Sequence, residues 1–131
     1  MIQYVHSATI LVRDQDQAVD FYVNKLGFEK RRDSPFGENS RWIEVAPPGG
    51  QASLALLRPE DVGQGEGGQA TPSVGGPTGV SLVVEDIEAT YQDLSGKGVS
   101  FAGPPQQMPW GAKATWMTDQ DGNSYFLTDQ G

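Results

Sequence analysis

The chain contains no cysteine and only one histidine, His6. Without thiols there is no disulfide scaffold, no cysteine nucleophile and no thiolate metal centre. Basic residues are also scarce, with nine Lys and Arg set against seventeen Asp and Glu for a formal charge of -8. Binding to a phosphate backbone draws on Lys and Arg in excess on one face, so nucleic acid is not an expected partner. An acidic surface favours solubility and can attract cationic ligands, but net charge does not define a site. No apolar run approaches the length that crosses a bilayer, and the first residues lack the basic, apolar and small-residue order of a signal peptide. A cytoplasmic protein with no membrane partner is therefore expected.

What the chain does contain is a pattern stated twice. The first copy reads Ile10-Leu11-Val12-Arg13-Asp14, then a helical stretch through Phe21-Tyr22 to Leu26-Gly27-Phe28. The second reads Leu82-Val83-Val84-Glu85-Asp86, then a helical stretch through Tyr91 and Leu94 to Lys97-Gly98-Val99. An internal repeat of this kind constrains the architecture as a whole. At 131 residues the chain can build one core but not two independent ones, so a single domain, 1–131, is expected. Its parts are a first module at 1–59, a linker at 60–77 rich in Gly, Gln and Pro, and a second module at 78–131.

Within the first module, branched residues predict a strand over 4–12, and Asp14 is placed to cap a helix that Gly27 stops. Strands are predicted at 28–32, 40–46 and 53–57, with a turn at Ser34-Pro35-Phe36-Gly37. The second module repeats the plan. A strand at 80–84 leads to a helix capped by Asp86 and ended at Gly98, followed by strands at 99–101, 113–117 and 124–128. Asp121-Gly122-Asn123 is a hairpin signal, and Gly103-Pro104-Pro105 opens an irregular segment running past Met108-Pro109-Trp110-Gly111. Gly63, Gly65 and Gly68 match a dinucleotide-binding spacing, but no buried strand precedes them and no helix follows to hold a pyrophosphate.

With strand, helix and turn recurring in this order, the chain resembles the vicinal oxygen chelate superfamily of glyoxalases, extradiol dioxygenases and bleomycin resistance proteins. The resemblance rests on Asp14 through Phe21-Tyr22 to Leu26-Gly27-Phe28, on Arg41-Trp42 before Ala46-Pro47-Pro48-Gly49, and on Asp119-Gln120-Asp121-Gly122-Asn123. It implies an α+β fold of two β-α-β-β-β modules forming a curved mixed sheet. In metal-dependent members it also implies a divalent ion held by His and Glu from the first and last strand of each module. Neutral imidazoles and carboxylates with open positions suit an ion that polarises paired oxygens. On the family's spacing those positions fall at Ser7, Ala55, Gly79 and Phe126. None is a useful ligand, so no metal and no other cofactor is expected. His6 neighbours the first position, and a one-residue offset turns a strand residue to the other face. As a lone histidine beside Ser7 it makes neither a metal site nor a triad.

Strand alternation groups Ser7, Thr9 and Leu11 on one face of the first strand. On 40–46 it separates Trp42, Glu44 and Ala46 from Arg41, Ile43 and Val45, and on the last strand it pairs Ser124 with Phe126. The expected ligand-binding residues are Ser7, Thr9, Trp42, Glu44, Ala55, Trp110, Trp116 and Phe126, with no catalytic residue among them. Aromatic rings on a concave surface offer flat contact area at low entropic cost. Phe126 and Trp116 also fit ordinary core packing, and Glu44 fits a counter-ion for a cationic ligand, a general base or an accessible carboxylate without either role.

The reading that follows is a metal-free homodimer that sequesters a bulky, aromatic natural product or antibiotic and so confers resistance. An enzyme of the glyoxalase type, or one using Glu44 on a small carbonyl compound, is the alternative. A carrier of a biosynthetic intermediate is a third.

Overall fold

The computed structural model describes residues 1–62 and 73–130. The Gly63, Gly65 and Gly68 spacing and most of the expected linker lie outside the described residues. The chain divides into two compact units, Met1–Val74 and Gly75–Gly131.

The first unit runs β1 (Ser7–Leu11), α1 (Gln15–Val19), a π-helical turn (Asp20–Lys25), β2 (Glu29–Phe36), β3 (Ser40–Ala46) and β4 (Ser53–Leu57), ending in a 3-10 turn at Pro59–Asp61. Its sheet has the order β1-β4-β3-β2, with β1 parallel to β4 and the other pairs antiparallel. Asp14 caps α1 by accepting from the Gln17 amide at 2.9 Å. Helical geometry then widens, since Leu26 N–H donates to the Phe21 carbonyl five residues back, and Gly27 turns the chain out at φ 79°. Ala18, Phe21 and Tyr22 are buried, as are Ile10, Ile43, Val45, Leu54 and Leu56 on the sheet. Gln15 joins the helix to the sheet by donating to the Arg41 and Leu56 carbonyls at 2.8 and 2.9 Å. Burying each large apolar side chain of this layer contributes about 1.5–3 kcal/mol.

The second unit runs β5 (Gly76–Val83), α2 (Ile87–Gly96), β6 (Ser100–Phe101), β7 (Gln106–Gln107), β8 (Lys113–Thr118) and β9 (Asn123–Thr128). The order is β5-β9-β8-β6, with β7 also on β8 and β5 parallel to β9. The repeat holds at the level of hydrogen bonds. Asp86 accepts from the Ala89 amide at 3.0 Å as Asp14 does from Gln17, and Gly98 leaves α2 at φ 89° as Gly27 leaves the first helix. At the hairpin between β8 and β9, Asp119 accepts from the Asp121 and Asn123 amides at 2.9 Å, and Gly122 takes φ 81°. Each unit thus contributes a mixed sheet and one main helix, the α+β plan implied by the repeat.

Several local expectations need correction. β1 begins at Ser7 rather than Tyr4, because its partner β4 spans only five residues and the ladder ends with it. Ser34, Pro35 and Phe36 belong to β2, and the turn falls at Gly37, where φ is 68°. Pro35 is tolerated because β2 is an edge strand and needs no second ladder of amide donors. Gly76 and Pro77 lie in β5, also an edge strand, not in the linker, and Pro59–Asp61 forms a 3-10 turn across the expected start of the linker. The segment expected to be irregular contains β7, whose two residues pair with Lys113 and Ala114.

Candidate functional site

Cross-strand pairing fixes which residues share a face. On the first sheet Ser7 is opposite Ser53, Thr9 is opposite Ala55, Ala55 is opposite Glu44, and Glu44 is opposite Arg32. Trp42 is opposite Ser34 on the same face. The opposite face carries Arg41, whose guanidinium reaches Asp16 on α1 and Asp33 on β2, so α1 packs there. Ser7, Thr9, Trp42, Glu44 and Ala55 therefore lie together on the face opposite α1, as alternation predicts.

Glu44 organises this face. One carboxylate oxygen accepts from the Trp42 indole N–H at 2.6 Å, and the other accepts from the Ser53 hydroxyl at 2.9 Å. The His6 Nε2 stands 3.8 Å from the second oxygen. Burial pushes the Glu44 carboxyl up, but the hydrogen bonds from Trp42 and Ser53 and the nearby His6 and Arg32 outweigh it and hold it below the ordinary value. A carboxylate so held is a weak general base, because proton affinity is the property its partners have removed. Glu44 acts here as an internal anion that fixes an indole.

On the second sheet Trp116 is opposite Phe126, and Phe126 is opposite Ser81. Phe126 stands between two indoles, edge-on to Trp116 at 5.0 Å and tilted to Trp110 at 6.4 Å. The next residues on both strands turn the other way, so Tyr125, Leu127 and Met117 are buried in the core. Trp110 is 63% exposed and Trp116 46% exposed, although both are large apolar rings. Beside Trp116 opens a groove of about 180 Å³, lined also by Gly103, Pro104, Gln106 and Met108. Trp110, Trp116 and Phe126 are thus brought together, and Trp116 belongs to this surface rather than to the core.

The positions at which the family places a metal do not fit one. Ser7 is half-buried, Ala55 is buried, and Phe126 presents a ring. Gly79 has φ 73° within an irregular stretch of β5, a backbone that disfavours any side-chain ligand there. Among the described residues, no group of three or more His, Asp or Glu side chains is disposed to hold an ion.

Three residues of the first sheet lie outside the expected site. Ser53 carries a findable signal, since it lies two residues from Ala55 and opposite Ser7. Arg32 is hidden by the register shift between Lys30 and Arg32, which breaks simple alternation on β2. His6 precedes β1, so alternation does not fix its direction, and its ring turns towards Glu44 instead of away from it.

Fold and sequence together place this chain in a known class. Residues 4–125 match the Glyoxalase/Bleomycin resistance protein/Dioxygenase superfamily, and the chain belongs to it. It is similar to a solved member of that superfamily from Sphaerobacter thermophilus DSM 20745, with 49% identity, TM-score 0.89 and 98% of each chain covered. It is also similar to TnmS3, an antibiotic binding protein from Streptomyces sp. CB03234, with 32% identity, TM-score 0.77, and 96% of this chain and 94% of that one covered. Protein YetH of Bacillus subtilis (strain 168) is 32% identical over 129 residues, covering 98% of this chain and all of its own. Among the described residues no helix is long and apolar enough to cross a membrane.

Proposed function

We propose that this protein binds and sequesters a bulky aromatic natural product, such as an antibiotic, in the cytoplasm, leaving it chemically unchanged and so conferring resistance. The observation that carries the reading is the aromatic surface of the second unit, where Phe126 is flanked by two tryptophans that remain largely exposed. Exposed indoles held by neighbouring rings are pre-organised for stacking, which contributes about 0.5–1.5 kcal/mol per aromatic pair beyond area burial. Similarity to an antibiotic binding protein across nearly the whole chain supports the same reading. So does the donor-poor set Ser7, Ala55, Gly79 and Phe126 at the family's metal positions, which offers a Lewis acid no ligands.

The protein works as a homodimer in this reading. A groove of about 180 Å³ encloses little more than one ring, below the roughly 300–1,000 Å³ usual for ligand pockets, and a second copy would supply further walls. Titrating planar natural products into the protein is expected to quench tryptophan emission, with the ligand recovered unchanged at one equivalent per site. Product accumulating beyond one equivalent would overturn sequestration. Elemental analysis is expected to find no stoichiometric divalent metal, and sedimentation equilibrium to find twice the chain mass.

A further inference from the structure

We propose that the face of the first sheet opposite α1 recognises an anionic oxygen on a planar ligand, such as a phenolate, an enolate or an aromatic carboxylate. This rests on the ligand-binding reading above and names the chemistry it selects. The acidic composition suggests a cationic ligand, and Glu44 is the obvious group to meet one. Its geometry points the other way. Glu44 is only 6% exposed, and each oxygen already accepts from a protein donor, the Trp42 indole and the Ser53 hydroxyl. A ligand ammonium would have to reach a buried carboxylate that already shares its charge between two protein donors.

The groups left accessible are donors. The His6 side chain is 64% exposed, with Nε2 on the Glu44 side at 3.8 Å. Arg32 is exposed, sits opposite Glu44 on β2 and makes no ion pair or hydrogen bond among the described residues. Its neighbours differ, since Lys30 pairs with Asp33 and the Arg31 guanidinium donates to the Gly50 and Pro47 carbonyls. Arg32 is therefore a guanidinium across the ladder from a buried anion and still free to donate. Trp42, two residues before Glu44 on the same face, has its N–H fixed on Glu44, so its ring orientation is set before a ligand arrives. Anionic oxygen, flat ring and fixed indole make one complementary set. The overall charge of -8 opposes an anion only at long range, where salt screens it over about 10 Å at 0.1 M.

The test uses three probes with one ring system and different charge, namely naphthoate, naphthamide and naphthylmethylammonium, titrated into the full chain. Naphthoate is expected to bind about tenfold more tightly than naphthamide, the worth of one charge-assisted hydrogen bond, and the ammonium most weakly. Arg32→Gln and His6→Gln are each expected to reduce that preference, and together to abolish it, without weakening naphthamide. Glu44→Gln is expected to tighten naphthoate, because it removes the competing anion and keeps Arg32 and His6. Equal binding of all three probes would overturn the charge selectivity while leaving the aromatic-binding reading intact. Tightest binding of the ammonium, lost in Glu44→Gln, would overturn it in favour of a cation site, and failure of every probe to bind would overturn both readings.

Discussion

Replacing Phe126 with Ala is expected to weaken ligand binding by about thirtyfold, the effect of losing a central aromatic contact worth about 2 kcal/mol. Phe126 spaces and orients both Trp116 and Trp110, at 5.0 and 6.4 Å, so its removal frees two indoles as well as deleting one ring. Trp110→Ala should cost affinity with little change in melting temperature, because that ring is largely exposed already. The control lies one residue away. Tyr125 points into the core and is fully buried, so Tyr125→Ala is expected to cost about 3–5 kcal/mol of stability through the cavity it leaves. Phe126→Ala should lower stability much less, since its ring is only half-buried. Denaturant unfolding and fluorescence titration of the three variants would check the contrast. Loss of stability in Phe126→Ala matching that of Tyr125→Ala, with affinity unchanged, would show that the ring serves the core alone.

The same alternation explains how much of the site is legible in the sequence. Period-two spacing places Trp42 with Glu44 and Ser124 with Phe126, because a regular strand admits no other arrangement. It fails wherever the backbone is not a regular strand. His6 stands outside β1, Arg32 follows a register shift, and Gly79 lies at a positive φ that no composition reveals. Pro35 carries a turn signal, although an edge strand accommodates proline as easily. The two-residue β7 has no sequence signal, since two glutamines define no alternation and have no marked strand preference. Helix starts are more legible. Asp14 and Asp86 each satisfy an amide three residues on, a local requirement that does not depend on tertiary context.

The superfamily's chemistry also makes sense of where a carboxylate survives. Ala55 stands where the resemblance implies Glu in metal-dependent members, and Glu44 stands directly across from it on β3. The Glu44 carboxylate meets an indole and a hydroxyl, with His6 and Arg32 nearby. An anion satisfied by the protein's own donors orders the face around it.

Glu44 should consequently leave a mark on the pH dependence of stability. Its folded-state pKa is held below the ordinary 4.5, so the ionised group stabilises the fold at every pH above that value. The contribution fades as pH falls from 4.5 through the lowered folded-state value, where protonation removes the preference of Trp42, Ser53, His6 and Arg32 for an anion. Asp33, held down first by Arg41, and Asp61, held down first by Arg58, lose stability in the same acidic direction, so the informative quantity is the difference between variants. Glu44→Gln can still accept from Trp42 through its carbonyl and donate to Ser53, whose hydroxyl then turns to the His6 carbonyl 3.3 Å away. That variant is expected to fall within about 1 kcal/mol of the parent at pH 7 and to show a flatter profile below pH 4.5. Glu44→Ala leaves the indole N–H without its acceptor and the Ser53 hydroxyl with only the His6 carbonyl, and is expected to cost about 1–3 kcal/mol at neutral pH. Urea unfolding of the three proteins between pH 7 and pH 3 measures both effects. Parallel profiles for the parent and Glu44→Gln would show that the carboxylate contributes nothing to stability as an anion.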